Sequence, residues 1–316
     1  MTRLPAIRLC EAWARDGIQG WPLIVATADK VHILRAAIDA GFTELDATSF
    51  VPPRTSKQFA DARAVLAALA DRPSDVTIRV LTVNERSFDT IESFGGQEAR
   101  IDFCGFPISA SEAHNLANLH RTHAEHKIII RKLISRSAAI GAQPLLSIST
   151  AFGCPISGPV KERDVMELAE WAANCGIRHL MLADTTGMAD PDHAFDLFSM
   201  VASRLPDVRL IAHFHDTRGN GVANTMAAVR AGVRTVDTSL GGCGGEPPLV
   251  IQNHQGTAGN VCTEDLLPLM QRMGFDTGID VQKVLELGAF VEQLAGRRLR
   301  SQVLRAGIAA KRSSGD

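Results

Sequence analysis

The feature that most constrains this chain is a regular alternation of short β-rich runs with longer helical patterns, carried from end to end. Strands are expected at 7–11, 44–50, 77–83, 101–106, 144–150, 179–184, 209–215 and 235–240. Helical stretches lie between them, among them 30–40, 56–70, 113–140, 162–174, 191–204 and 220–231. Gly41, Gly141, Gly176 and Gly232 each follow such a stretch, where a left-handed C-cap residue belongs. Asp190 before Pro191 reads as an N-cap with proline at the first helical position. Repeated units of this kind build a parallel sheet, because a parallel strand pair needs a crossover long enough for a helix. Eight of them close into a (β/α)8 TIM barrel of the α/β class. The rival is an open doubly wound sheet, and one that binds nucleotide would show a glycine-rich turn after an early strand. The first strand runs instead into Ala14-Arg15-Asp16-Gly17.

The length, 316 residues, suits either two ordinary domains or one barrel with an extension, and 45% hydrophobic residues suit a large core. No composition shift or Pro/Ser-rich linker marks a boundary. The chain is therefore read as one barrel domain over 1–316, the barrel at about 5–275 and a helical extension at about 276–316. Amphipathic patterns at 281–294 and 302–310 would cap or flank the barrel, or join a subunit interface.

A formal net charge of −2 leaves no electrostatic case for nucleic acid or an anionic membrane. Locally basic residues near the C-terminus (Arg297, Arg298, Arg300, Arg305, Lys311, Arg312) read as a solvated helix face, part of which could meet a phosphate-bearing ligand. The six cysteines are scattered with no CxxC pair, as reduced thiols of a cytosolic protein would be. Met1-Thr2-Arg3-Leu4-Pro5 leads almost directly into the first strand, and no apolar run approaches a membrane span. A soluble, cytoplasmic protein is expected.

In parallel barrels the catalytic groups sit at the C-terminal strand ends, and the unusual polar residues of this chain fall there. The seventh strand ends in His213-Phe214-His215; residues two apart on a strand share a face, so the imidazoles converge. Alone, the pair reads equally as two hydrogen-bonded histidines or as half a metal site. The first strand is followed by Arg15, Asp16 and Gln19, and the second carries Asp46. The sixth ends in Asp184-Thr185-Thr186-Gly187. The eighth is followed by Gly241-Gly242-Cys243-Gly244-Gly245-Glu246 and a loop reaching Gly259-Asn260. Each has a plainer reading: Asp16 before Gly17 shapes a turn, Asp184 and Asp216 cap helices, and the glycine run turns the backbone or cradles a phosphate. The recurrence of acids, histidines and glycines at one rim favours a site.

Arg15-Asp16-Gly17-Ile18-Gln19 resembles the opening motif of the 3-hydroxy-3-methylglutaryl-CoA lyases and their superfamily of metal-dependent aldolases and acyl synthases. The resemblance continues through Ala47-Thr48-Ser49-Phe50-Val51-Pro52-Pro53, Ser109-Ala110-Ser111-Glu112 and Ala151-Phe152-Gly153-Cys154-Pro155. It extends to Asp184–Gly187, His213–Thr217, Gly259-Asn260 and Gly296-Arg297-Arg298-Leu299, and so covers nearly the whole chain in order. It implies a (β/α)8 barrel binding Mg²⁺ or Mn²⁺ through Asp16, His213, His215 and Asn260. Carboxylate, imidazole and amide-oxygen ligands with open positions suit such an octahedral ion. It further implies cleavage of a 3-hydroxyacyl-CoA thioester to acetyl-CoA and an oxo acid, in a homodimeric enzyme. Arg15 would stabilise the enolate, Asp46 and Asp184 are the acidic candidates for proton transfer, and Gln19 and Thr185 would bind substrate.

Three departures from the family pattern matter. Gly244-Gly245-Glu246-Pro247 places a glutamate where the lyases carry a mobile cysteine; Cys243 lies three residues earlier. A buried carboxyl can also deliver a proton, so Glu246 is a catalytic candidate. Residues 248–255 read as an insertion that adds His254, and Gln19 leads into Gly20-Trp21-Pro22-Leu23 where the lyases carry a charged run. These changes point to an acyl chain bulkier or more apolar than 3-hydroxy-3-methylglutaryl. The alternatives are an aldolase acting on a free hydroxy-oxo acid, a citramalate-synthase-like condensing enzyme, and a non-catalytic metabolite-binding barrel.

Overall fold

Parallel pairing runs without a break around the sheet, and β8 pairs back onto β1 to close it. The computed structural model describes residues 5–94, 100–245 and 259–310. The strands are β1 (Arg8–Glu11), β2 (Glu44–Ser49), β3 (Thr77–Leu81), β4 (Phe103–Ser109), β5 (Gln143–Ser149), β6 (His179–Asp184), β7 (Arg209–Phe214) and β8 (Thr235–Thr238). Outside them lie α1 (Thr27–Asp39), α2 (Ala62–Ala67), α3 (Glu85–Glu92), α4 (Glu112–Leu119), α5 (His123–Ala139), α6 (Glu162–Asn174), α7 (Pro191–Arg204) and α8 (Gly221–Arg230). The chain continues through α9 (Thr263–Arg272), α10 (Val281–Ala295) and α11 (Val303–Ala306).

Helices on one side and the barrel interior on the other leave the strands little contact with water; all of β2 and β8 is buried. The helices follow from their apolar spacing: α7 buries Ala194, Leu197, Phe198 and Val201 on one face, and Asp190 caps it by accepting the His193 N–H. The barrel interior holds a small apolar cluster of Leu145, Met181 and Ile211. It also holds charge. Arg79 on β3 donates to Glu44 on β2 at 2.6 Å and to Asp237 on β8 at 2.7 Å. Buried charges persist only when paired in this way.

Several boundaries differ from the sequence reading. The stretch 113–140 is two helices, α4 and α5, because His120 takes a left-handed conformation (φ 54°) and Thr122 starts a new helix with a capping box to Glu125. The fourth strand lies later than 101–106, at Phe103–Ser109, and the helical pattern at 302–310 condenses to α11. Helices α3 and α9 are additional to those read from the sequence. The C-terminal part flanks the barrel: α10 packs on α1 and α9, and Leu299 lies against Gly241 in the turn after β8.

Candidate metal centre

After β1 the backbone makes one π-helical turn, Trp13–Gly17, which places Arg15 and Asp16 at the C-terminal mouth. Such turns re-aim side chains out of a regular ladder. Glu11, the last residue of β1, holds this turn against the next elements. Its carboxylate accepts N–H bonds from Trp13 at 2.9 Å and Leu240 at 3.0 Å, and the Thr263 hydroxyl at 2.6 Å. Burial pushes its carboxyl from 4.5 up to about 8.

Asp16, His213 and His215 bring their ligating atoms within 4.8 Å of one another, the one such trio among the described residues. The Nε2 atoms of the two histidines are 3.1 Å apart, and Asp16 Oδ2 lies 3.4 Å from His215 Nε2. On the far side of each ring, His213 Nδ1 faces Asp237 Oδ2 at 3.1 Å and His215 Nδ1 faces the Thr185 carbonyl at 2.6 Å. Both partners accept, so each ring carries its proton on Nδ1 and turns an Nε2 lone pair inward.

Asn260 joins from the loop before α9, bridged to the end of β7 at His215. Its Nδ2 donates to Asp16 Oδ2 at 2.6 Å and to the Cys243 carbonyl at 2.9 Å. Its Oδ1 is buried without a hydrogen-bond partner among the described residues. An orphaned amide oxygen beside two inward lone pairs and a carboxylate is a donor set that suits a hard divalent cation. Burial alone would raise Asp16, but Arg15 and the two imidazoles hold it well below the usual carboxylate range.

Arg15 sits between two acids: Nε donates to Asp46 Oδ2 at 2.6 Å and Nη1 to Asp16 Oδ1 at 2.5 Å. Among the described residues, Nη2 is the guanidinium nitrogen that no side chain takes. Burial pushes Asp46 above its ordinary value against the opposing pull of Arg15 and Arg79.

The other expected residues are placed as follows. Asp184 accepts the N–H groups of Met188 at 2.7 Å and Ala189 at 3.0 Å, so both carboxylate oxygens shape the loop after β6. Thr185 accepts the Thr150 N–H on its hydroxyl at 2.8 Å and orients His215 through its carbonyl. Gln19 is half-buried at the end of the first loop. Asp216 accepts the Gly221 N–H at 2.7 Å, holding the start of α8. Cys243 is buried, and burial pushes its thiol up to about 12. Glu246, His254 and the rest of the 248–255 insertion lie outside the described residues.

The glycine run lets backbone lie directly on the ligand set. Gly244 has φ 110°, and a Cβ there would run into the Asn260 amide and into Asp16. Sequence reasoning passed over Asp237, which orients His213, and its partner Arg79. The signal was available: Thr235 and Asp237 alternate on β8, so a polar pair faces the interior of a strand that should be apolar.

The chain matches the HMGL-like family over residues 6–291. It is 33% identical over 300 residues to the mitochondrial hydroxymethylglutaryl-CoA lyase of Bos taurus, covering 95% of this chain and 89% of that protein. It is 31% identical over 315 residues to the (R)-citramalyl-CoA lyase of Chloroflexus aurantiacus, covering 96% of each. Among solved structures, an HMG-CoA lyase from Acinetobacter baumannii in complex with coenzyme A and 3-methylmalate matches with a TM-score of 0.89 at 32% identity, over 97% of both chains.

Proposed function

The chain belongs to the HMGL-like family, and from that premise we propose that it is a divalent-metal-dependent carbon–carbon lyase cleaving a 3-hydroxyacyl-CoA to acetyl-CoA and an oxo acid. The observation that carries the reading is the donor set itself: the ligating atoms of Asp16, His213 and His215 lie within 4.8 Å of one another, and Asn260, bonded to Asp16 through Nδ2, leaves Oδ1 without a partner among the described residues. Asp16, His213, His215 and Asn260 would hold Mg²⁺ or Mn²⁺, which when bound polarises the substrate hydroxyl and lowers its pKa.

The residues around that point have the groups for the rest of the reaction. Asp46, raised by burial, accepts the hydroxyl proton, directly or through a water. As that proton leaves, the hydroxyl carbon becomes a carbonyl and the C–C electron pair passes to the thioester as an enolate. Arg15, locked by Asp46 and Asp16, offers Nη2 to the developing enolate oxygen without reorganisation. Glu246 then supplies a proton to the enolate carbon to give acetyl-CoA. Asp184, with both oxygens engaged, supports this by holding the loop that carries Thr185. Gln19 and Thr185 line the substrate side.

The acyl group is read as bulkier or more apolar than 3-hydroxy-3-methylglutaryl. Supporting this, the first loop carries Trp21 packed edge-on to Trp13 at 5.5 Å, and presents Leu23 and Ile24, 66% and 63% exposed. A relative that cleaves citramalyl-CoA is similar over 96% of the chain, so the acyl group varies among the relatives. We further read residues 1–316 as one catalytic domain, acting as a cytoplasmic homodimer. The test is incubation with a panel of 3-hydroxyacyl-CoA thioesters and Mn²⁺, with products read by mass spectrometry. Acetyl-CoA release from at least one thioester is expected; turnover of free hydroxy-oxo acids alone would replace the reading with an aldolase.

A further inference from the structure

We propose that the N-terminal mouth of the barrel, opposite the metal centre, is a second binding site, for a small multivalent oxyanion. A cavity of about 540 Å³ opens there between the starts of β1, β7 and β8 and the segment 276–279. Its charged lining is Arg8, Arg209, Arg234 and Asp276.

Strand register gathers these residues. Arg8 begins β1 and pairs with Thr235 across the β1–β8 ladder, and its N–H donates to the Arg234 carbonyl at 2.9 Å. Arg209 begins β7 and reaches the same point, donating from Nε to Thr235 Oγ1 at 2.9 Å. Arg8 and Arg209 therefore meet at Glu44, and Arg234 lines the same cavity from the residue before β8.

Against these three arginines stand the carboxylates of Glu44 and Asp276. Arg8 is 44% exposed, and its ion-pair contact is a long 3.4 Å to Glu44. Arg209 meets the same Glu44 at 2.7 Å, and Glu44 is also the partner of buried Arg79. Glu44 is thus shared by Arg8 and Arg209, while Arg79 also has Asp237. Arg234 is fixed by the Val229 and Val233 carbonyls, which hold it in place without cancelling its charge. A concave, cation-rich cavity focuses field on an anion, and guanidinium forks match carboxylate and phosphate oxygens alike. The volume falls within the range of small-ligand sites.

The test is calorimetric titration of the full chain, free of divalent metal, with pyrophosphate and with citrate. Saturable binding of at least one, at one per chain, is expected. It should weaken about ten-fold in Arg8→Gln and in Arg234→Gln, and remain unchanged in Arg15→Gln at the opposite mouth. Pyrophosphate preference would assign a phosphate ligand, and citrate preference a carboxylate one. Arg8→Gln removes a half-exposed side chain, and a thermal melt confirms that each variant is folded. Absence of saturable binding by either anion overturns the proposal, as does loss in Arg15→Gln with retention in Arg8→Gln. No arm of the test reads lyase turnover.

Discussion

Asp237 faces His213 Nδ1 at 3.1 Å, and through that contact it determines which nitrogen of His213 looks into the metal centre. The same carboxylate takes Arg79 Nη1 at 2.7 Å, so its position is fixed from two sides. A carboxylate behind a ligating imidazole holds the ring's orientation and raises its basicity. The Thr185 carbonyl does the orienting for His215.

Asp237→Asn should therefore weaken Mn²⁺ binding by roughly 10–100-fold. Arg79 would also lose a buried partner, so the melting temperature should fall. Calorimetric Mn²⁺ titration well below the new melting temperature checks this; unchanged affinity in a folded variant would remove Asp237 from the centre.

Asp46→Asn should lower kcat by about 10²–10⁴-fold, the usual contribution of a positioned base. Mn²⁺ affinity should change little, because Asp46 contacts Arg15 and not the ligand set. Asp46→Glu, which keeps the carboxylate, should recover most of the rate. Equal loss in both variants would mark Asp46 as a packing residue that steadies Arg15.

Gly244→Ala should cost about 1–3 kcal/mol of stability, because alanine is strained at φ 110°. It should weaken metal binding as well, since the added Cβ would press on the Asn260 amide and Asp16. Denaturant unfolding with and without Mn²⁺ separates the two effects. A neutral substitution would show that the turn after β8 can move away from the ligands.

The barrel is legible in the sequence because its strands are short runs bounded by glycines and caps, and the period changes from strand to helix at each boundary. The break between α4 and α5 was less so: a run of helix formers spans it, and the decisive signal is local, Thr122 with Glu125. At the centre, Asp16, His213, His215 and Asn260 stand out as polar residues where strands end. Asp237 does not, because it lies one turn of pleat deeper and ligates nothing itself. Thr185 contributes a carbonyl, which no side-chain pattern encodes.

Two buried acids give the fold a pH dependence. Burial raises Glu11 to about 8 and Glu264 to about 7 from the ordinary 4.5. A raised acid keeps its proton in the folded state at a pH where the unfolded chain has lost it. From about 4.5 up to these values the folded state binds more protons, so stability is greatest at the acid end of this window and falls as pH rises through it. Glu11→Gln stays neutral, can still accept from Trp13 and Leu240, and can donate to Thr263. It should flatten the fall in melting temperature between about pH 5 and about pH 8. An unaltered slope would mean that Glu11 is ionised in the folded protein.

The most direct measurement follows acetyl-CoA release from a 3-hydroxyacyl-CoA substrate by chain stripped of divalent ions and then titrated with Mn²⁺. Release should be absent at the start, rise in step with the metal, saturate at one Mn²⁺ per chain, and fail to appear in Asp16→Ala. Full release in the stripped chain, or release in Asp16→Ala equal to that of the parent, would contradict the account.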